Sequence, residues 1–468
     1  MAPPRPRVSL PVLLVIVLAL LAGAGCFALV HSADAPTKIK TVPGPGVPSA
    51  LAQAGSTPSA APTPSAAPVP QPTALATAIA AALKAPNLGP QVLVQIGDAQ
   101  TGQILFDHLG STPAAPASTG KLLTAAAILA VRPASYRIPT VVKAVGSTVI
   151  LVGGGDPTLT AATGKQPVPY PGAARLSDLV RQIKAAGITA TKVVVDDSLF
   201  VGPSVLPGWA PEDVSSGYAS AITAVMTDGG RALPENSYRS ATPDTDAGHE
   251  LAAALGLPTS AVSRGKTPLG AQVVARVQSA PLSVLVEQML HESDNVIAEV
   301  LARQVAIAEH LPASFTGAVQ ATRQVLAGLG VEVGTGMKDG SGLAAADRVS
   351  PAALVDVLRL AAGYFTPPKG VTVPTAIGTI VAALPVAGWS GTLAYRYQNG
   401  SAANFVGEVR AKTGSIDGIT TLSGYLHDKS GRLLVFSMDA DHTPLGGTRA
   451  AEYALDDVVA AIGRCGCT

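Results

Sequence analysis

Ser118 and Lys121 lie one helical turn apart and have the residue types of a nucleophile and its base. A serine hydroxyl is a weak nucleophile until a neighbouring group takes its proton. A lysine amine can take that proton where burial and nearby cations lower its pKa towards neutrality. The apolar run from Ser118 to Val131 predicts a helix, on which residues three apart project from the same face. The pair therefore predicts serine acyl-transfer chemistry.

A serine three residues before a lysine is common by chance, and this chain has a second copy at Ser263 and Lys266. That copy leads into Pro268 and not into an apolar helix, so we interpret it as a chance match. The segment 388–392 falls one glycine short of the nucleophile turn of α/β-hydrolases. The catalytic interpretation of Ser118 and Lys121 therefore needs support from other segments.

A short polar break at Ser293 and Asn295 separates two apolar helical stretches, 282–291 and 296–306. In a catalytic cleft, Ser293 would relay a proton between Lys121 and a leaving amine, and the Asn295 amide would hold the substrate backbone. The alternative is that the break merely caps a helix.

A third segment, from Lys412 to Ser415, ends a predicted strand. Lys412 supplies positive charge, Thr413 and Ser415 supply hydroxyls for a terminal carboxylate, and Gly414 permits close approach of a substrate backbone. The alternative is an edge strand protected by a lysine. The order Ser-Lys, Ser-Asn, Lys-Thr-Gly is the signature set of class A β-lactamases and penicillin-binding proteins.

The resemblance extends beyond these three motifs to class C low-molecular-mass penicillin-binding proteins. The similar stretches are residues 116–123, 151–157, 196–200, 207–209, 339–343 and 409–415. The resemblance implies a serine-type D-alanyl-D-alanine carboxypeptidase or endopeptidase, which acts on peptidoglycan peptides and is acylated by β-lactam antibiotics such as penicillin. It implies that Ser118 is the acylated nucleophile and Lys121 its base, with the backbone N–H groups of Ser118 and Ser415 as the oxyanion hole. Ser293 and Asn295 would line the cleft, opposite the carboxylate-facing Lys412, Thr413 and Gly414.

Strand patterns near both chain ends, at 92–96, 103–106, 409–415, 419–427 and 432–439, predict an α/β fold. The resemblance implies a penicillin-binding-protein/β-lactamase-like transpeptidase domain, with an antiparallel sheet flanked by helices. We assign this domain to residues 75–136 and 281–468. About 170 positions separate Lys121 from Ser293, far more than one packed domain needs, so we expect a large inserted domain at 137–280.

The N-terminus predicts export. Arg5 and Arg7 precede an apolar run at 10–30 that is long enough to cross a bilayer, with the positive end in the cytoplasm. We expect residues 1–34 to form a cytoplasmic stub with a transmembrane anchor, or alternatively a cleaved signal peptide. Residues 35–74 are rich in Pro, Ala and Ser, which predicts an extended linker. The protein is thus expected at the cell membrane with its catalytic domain outside, or secreted if the segment is cleaved.

Composition excludes other classes of function. A net charge of +1 and 4% aromatic residues argue against nucleic-acid binding, which needs a basic face or stacking platforms. The seven histidines show no metal-ligand spacing, and we expect no metal and no cofactor. A β-lactamase and a non-catalytic penicillin- or wall-binding protein remain alternative interpretations. The sequence leaves open whether Cys465 and Cys467 are oxidised.

Overall fold

The computed structural model describes residues 67–164, 166–233 and 238–466. The predicted membrane segment at 10–30 and the linker up to residue 66 lie outside these described residues. In the described ranges, no helix is both long enough and apolar enough to cross a bilayer. Cys465 takes part in a disulfide bond, and Cys467 lies outside the described part.

The first sheet joins both ends of the described chain. Its strands are β1 (Gln91–Asp98), β2 (Ile104–His108), β8 (Arg410–Ile416), β9 (Ile419–His427) and β10 (Leu433–Asp441). All neighbours pair antiparallel, in the spatial order β2-β1-β10-β9-β8. β1, β9 and β10 are buried along almost their whole length because helices cover both faces of the sheet. The strands predicted from both chain ends are confirmed, with their ends shifted by at most two residues.

A second sheet is built from the middle of the chain. Its strands are β3 (Pro139–Val145), β4 (Thr148–Val152), β5 (Lys192–Asp196), β6 (Val262–Arg264) and β7 (Gln272–Gln278). Their order is β6-β5-β4-β3-β7, and β5 pairs parallel with both of its neighbours. These strands fall within the segment expected to be inserted, whose limits at 137 and 280 stay a prediction. Ser263 lies in β6 opposite Val194, so the second Ser-Lys copy is not helical.

The helices are divided between the two sheets. The first part of the molecule, which is built on the first sheet, contains α1 (Pro72–Ile79), α2 (Lys121–Val131), α5 (Leu282–His291), α6 (Asn295–Ala308), α7 (Phe315–Gly328), α8 (Pro351–Ala361), α9 (Thr379–Ala383) and α10 (Thr448–Arg464). The second part, which is built on the second sheet, contains α3 (Leu176–Ala185) and α4 (Pro243–Ala254). α1 and α10 share an apolar core with one face of the first sheet. α3 and α4 cover the second sheet.

Helix α2 lies at the centre of the helical core. Every residue from Lys121 to Leu129 is buried, and the helix packs against α5, α6, α7 and α8. A helix that is apolar on all sides must be surrounded by protein to be stable. Because α2 begins at Lys121, this packing also removes the lysine amine from water.

Candidate active site

Ser118 and Lys121 lie close together, although not on one continuous α-helix. Ser118 belongs to a short 3₁₀ helix, Ala117–Gly120, and α2 follows from Lys121. The single helix predicted from Ser118 is therefore wrong at its first turn, which is 3₁₀ and follows a positive φ of 44° at Ala117. Side chains at i and i+3 eclipse in a 3₁₀ turn. The Lys121 Nζ consequently lies 2.8 Å from the Ser118 Oγ.

The Lys121 amine contacts three oxygen atoms. Besides Ser118 Oγ, it donates to Asn295 Oδ1 at 2.5 Å and to the Ser341 carbonyl at 2.8 Å. Burial lowers the pKa of Lys121 to about 8, although the carboxylates of Asp339 and Glu299 act in the opposite direction. A large fraction of the amine is therefore neutral slightly above physiological pH.

The polar break between α5 and α6 turns Ser293 into the cleft. Ser293 has a φ of 60°, a left-handed conformation that is uncommon for a residue other than glycine. Its Oγ accepts a hydrogen bond from Lys412 Nζ at 2.9 Å, whereas the relay predicted from sequence would join it to Lys121. Asn295 is held between Lys121 and the Tyr218 carbonyl, to which its Nδ2 donates at 2.9 Å.

Lys412 is a cleft residue and not an exposed edge lysine. Its side chain is fully buried, and its Nζ donates to Ser293 Oγ and to the Thr413 carbonyl at 2.8 Å. Burial and the nearby Lys121 amine lower the pKa of Lys412 well below its ordinary value. Each of the two buried amines therefore disfavours the protonated form of the other.

Strand β8 is the edge strand of the first sheet, and its outer side faces the cleft. The segment 385–387 covers this side only as far as Ala411. Beyond that point, residues 413–416 line the cleft. A Cβ atom at position 414 would lie 2.8 Å from the Ser118 backbone nitrogen. Glycine at this position therefore lets β8 lie directly against the Ser118 turn.

Asp294 is a site residue that the sequence reasoning missed. Its carboxylate caps α6 by accepting from the backbone N–H groups of residues 296 and 297, at 2.9 and 3.0 Å. It also accepts from the Tyr170 hydroxyl at 2.8 Å and from Arg239 Nη2 at 3.1 Å, with Arg231 at 3.6 Å. Despite its burial, these two arginines hold the pKa of Asp294 below its ordinary range. The cap alternative thus describes Asp294, while Ser293 and Asn295 project into the cleft.

The turn at 339–342 supplies the third acceptor of Lys121 and was also missed. The sequence analysis gave 339–343 only as a stretch of family resemblance and assigned no role to Ser341. The Asp339 carboxylate accepts from the backbone N–H groups of residues 341, 342 and 344 and from Trp209 Nε1 at 2.8 Å. Glu299 accepts from the Gly340 N–H at 3.0 Å. These bonds fix the Ser341 carbonyl in its position beside the lysine amine.

The three segments enclose one cleft of about 1000 Å³. Ser118 is half-buried at its floor, where a ligand can reach it. The polar residues that line the cleft include Ser118, Tyr170, Tyr218, Arg231, Arg239, Ser293, Asn295, Thr392, Thr413, Ser415 and Glu452. The second part of the molecule thus supplies one wall through its tyrosines and arginines. In the described ranges, no group of three or more His, Cys, Asp and Glu residues could hold a metal ion.

This arrangement fits nucleophilic acyl transfer. It combines an accessible serine, a buried amine of lowered pKa in contact with that serine, and a free strand edge beside both. An extended peptide can bind such an edge as an additional strand. The backbone N–H groups of the strand and of the serine turn then lie next to the reacting carbonyl.

Comparisons with known proteins agree with this chemistry. The sequence profile of the D-Ala-D-Ala carboxypeptidase 3 (S13) family matches residues 75–237 and 232–461. A carboxypeptidase of Mycobacterium tuberculosis is 41% identical over 92% of this chain and 90% of its own length. The carboxypeptidase DacB of Mycolicibacterium smegmatis is 40% identical over 97% of this chain and 96% of its own.

The solved structure of penicillin-binding protein 4 from Haemophilus influenzae has the same fold. It superposes with a TM-score of 0.67 at 22% identity, and the match covers 82% of this chain and 99% of that one. The expected α/β penicillin-binding-protein fold with a large insertion is thereby confirmed. The chain belongs to the D-Ala-D-Ala carboxypeptidase 3 (S13) family, and its activity is that of a serine-type D-alanyl-D-alanine carboxypeptidase.

Proposed function

We propose that the cleft cleaves D-alanyl-D-alanine peptides of peptidoglycan through an ester on Ser118. The Ser118 Oγ attacks the carbonyl carbon of the penultimate D-alanine, and Lys121 takes the hydroxyl proton. The C–N bond then breaks, and the departing amine receives that proton. Water attacks the ester carbonyl, releases the shortened peptide and returns a proton to Ser118.

The observation that carries this proposal is the arrangement of acceptors around Lys121 Nζ. A neutral amine has two N–H bonds and one lone pair. The Asn295 Oδ1 and the Ser341 carbonyl can only accept, so they take the two N–H bonds. The lone pair is then directed at the third neighbour, Ser118 Oγ, at 2.8 Å. Lys121 is thus oriented as the base that removes the serine proton.

The other predicted site residues fit substrate binding along β8. The terminal carboxylate of the substrate would contact the hydroxyls of Thr413 and Ser415, and its charge would restore the proton on Lys412. Ser293, which contacts Lys412, would carry the proton towards the leaving amine. The backbone N–H groups of Ser118 and Ser415 would hold the oxyanion, a role supported by the close approach of β8 to the Ser118 turn.

A fluorescent penicillin tests the nucleophile directly. We expect a covalent adduct on the wild-type protein because the leaving group of a β-lactam stays tethered and slows deacylation. The adduct should be absent in Ser118→Ala and unchanged in Ser263→Ala, the matched control in the second Ser-Lys copy. Release of D-alanine from a pentapeptide should follow the same pattern. An adduct that persists in Ser118→Ala would refute the proposal, and rapid penicillin turnover would indicate a β-lactamase.

We also propose that the N-terminal segment 10–30 tethers the enzyme to the outer face of the cell membrane. This proposal rests on the length of the apolar run and on the arginines before it. Residues 72–74 of the predicted linker belong to α1, and the part at 35–66 would extend to roughly 100 Å at about 3.1 Å per residue and let the catalytic domain reach the cell wall. Replacing residues 1–34 with a cleavable signal peptide should release active enzyme from the membrane fraction. Enzyme that stays in the membrane fraction after this replacement would contradict the proposed tether.

A further inference from the structure

Both hydroxyl groups on the free part of strand β8 already donate their protons to protein oxygens. Thr413 is 7% exposed, and its Oγ1 donates to Thr392 Oγ1 at 2.8 Å. The Ser415 Oγ donates to Glu452 Oε1 at 3.4 Å. A hydroxyl group has only one proton to donate. The two hydroxyls that the proposed function assigns to the substrate carboxylate must therefore turn before they can bind it.

Thr392 lies at the same cleft and is the residue that accepts the Thr413 proton. Its side chain is exposed and belongs to the lining of the cleft. Its Oγ1 accepts from Thr413, and in the described ranges no residue accepts the proton of the Thr392 hydroxyl itself. A threonine hydroxyl can accept and donate at the same time. Thr392 therefore has one proton left for a further hydrogen bond.

The backbone around Thr392 is fixed against two neighbouring helices. Gly391 has a φ of 55°, and a Cβ atom at this position would lie 2.5 Å from the His291 carbonyl oxygen at the end of α5. On the other side, the buried Arg396 forms a two-pronged ion pair with Asp456 of α10, at 3.0 and 2.7 Å. These contacts hold the Thr392 hydroxyl beside β8, so only its proton needs to move.

A bound carboxylate changes which of the two threonines donates. In the proposed function, on which this step rests, the carboxylate of the terminal D-alanine contacts the Thr413 hydroxyl. An ionised carboxylate can only accept, so Thr413 must turn its proton from Thr392 to the anion. A hydrogen bond to a charged acceptor is stronger than one between two neutral hydroxyls, so this turn is favourable. The proton of Thr392 is then free to point back at Thr413 Oγ1.

We propose that Thr392 is a positioning residue for substrate binding, which donates to Thr413 when Thr413 donates to the substrate carboxylate. A donor to the Thr413 oxygen polarises its O–H bond and strengthens the hydrogen bond to the anion. It also keeps a proton between two oxygen atoms that lie 2.8 Å apart. The role requires a side chain at position 392 that can first accept and then donate. Serine has this capacity, and valine lacks it.

Turnover of a pentapeptide that ends in D-alanyl-D-alanine tests this role. In Thr392→Val, we expect KM to rise about fivefold while kcat changes by less than about twofold, because the lost interaction is already made in the bound substrate. Thr392→Ser should keep KM within about twofold of wild type, since it retains the hydroxyl. Thr366→Val, at an exposed threonine outside the cleft lining, is the matched control and should match wild type.

A double-mutant cycle decides whether Thr392 acts through Thr413. Thr413→Val should raise KM more than Thr392→Val does, because it removes the hydroxyl that contacts the anion. Adding Thr392→Val to Thr413→Val should then change KM by less than about twofold, since the chain of hydrogen bonds is already broken. Effects that multiply in the double variant would show that the two threonines act independently and would overturn the proposal. An unchanged KM in Thr392→Val would also overturn it.

The result for Thr392 can be separated from the test of the nucleophile. If Ser118→Ala still formed the penicillin adduct, the proposed nucleophile would be wrong, but the KM values of the cycle would still report how the two threonines are coupled. If the adduct required Ser118 and the effects in the cycle multiplied, only the role of Thr392 would be wrong.

Discussion

The two sheets of the molecule contribute differently to the active site. The part built on the first sheet supplies the groups to which we assign the proposed chemistry, namely Ser118, Lys121, Ser293 and Lys412. The part built on the second sheet, residues 139–278, supplies contacts that hold those groups. It contributes the Tyr218 carbonyl to Asn295, the Trp209 N–H to Asp339, and Tyr170 with Arg239 to Asp294.

This difference indicates what the inserted part does. Each of these contacts reaches a residue that supports a reactive group and not the reactive group itself. Asp294 lies between Ser293 and Asn295, and Asp339 holds the turn that carries the Ser341 carbonyl. Its contacts support a role as the wall that orients the polar break before α6.

The largest expected effect comes from removing a reactive group supplied by the first part. Lys121→Ala removes the base from Ser118 and should slow penicillin acylation on the order of 1,000-fold. The rate of adduct formation measures this effect. Lys266→Ala, in the second Ser-Lys copy, serves as the control and should react at the wild-type rate. An acylation rate near wild type in Lys121→Ala would assign the base to another group.

The second-largest expected effect concerns the contacts through which the inserted part holds the reactive groups. Arg239→Ala leaves the Asp294 carboxylate buried without its main ionic partner, because Arg231 lies farther away at 3.6 Å. We expect the free energy of unfolding to fall by about 3 kcal/mol, together with slower acylation. Denaturant titration measures the first quantity. Arg181→Ala, in an exposed ion pair of the same region, should change stability by less than about 1 kcal/mol. Equal stability of the two variants would contradict a structural role for Arg239.

The pH dependence of acylation tests how burial prepares Lys121. Burial lowers the pKa of this amine to about 8, and only its neutral form can accept the Ser118 proton. The acylation rate should therefore rise with pH through about 8, by about tenfold between pH 7 and a plateau near pH 9. Stopped-flow measurement with a chromogenic β-lactam gives this profile. A rate that is constant over this range would show that deprotonation of Lys121 does not limit the reaction.

The smallest effect concerns the turn that holds Lys121. Trp209→Phe removes the N–H donor to Asp339 while three backbone donors remain. We expect a loss of about 1 kcal/mol in stability and a few-fold slower acylation. Thermal unfolding measures the first quantity. Trp389→Phe, the same change at an exposed site, should leave stability unaffected, and an equal loss in both variants would contradict the role of the Trp209 hydrogen bond.

Much of the fold and of the chemical machinery was predictable from the sequence. Short strand-like runs bounded by turn residues predicted the strands at both chain ends, and the run after Ser118 predicted α2 apart from its first turn. The residues proposed for chemistry and binding, Ser118, Lys121, Ser293, Asn295 and Lys412–Ser415, all meet in one cleft. Such residues can be recognised in a sequence because each carries a reactive or hydrogen-bonding side chain at a spacing set by a helix or a strand.

The supporting contacts were decided only by tertiary structure. The carbonyls of Ser341 and Tyr218 are backbone groups, which every residue type possesses, so no sequence pattern marks them. Arg239 and Tyr170 reach Asp294 across separations of 55 and 124 residues. The sequence determined which groups could react, because reactivity belongs to individual side chains. Packing decided which amine lost water and which oxygen atoms surround it, because burial and distance depend on segments that are remote along the chain.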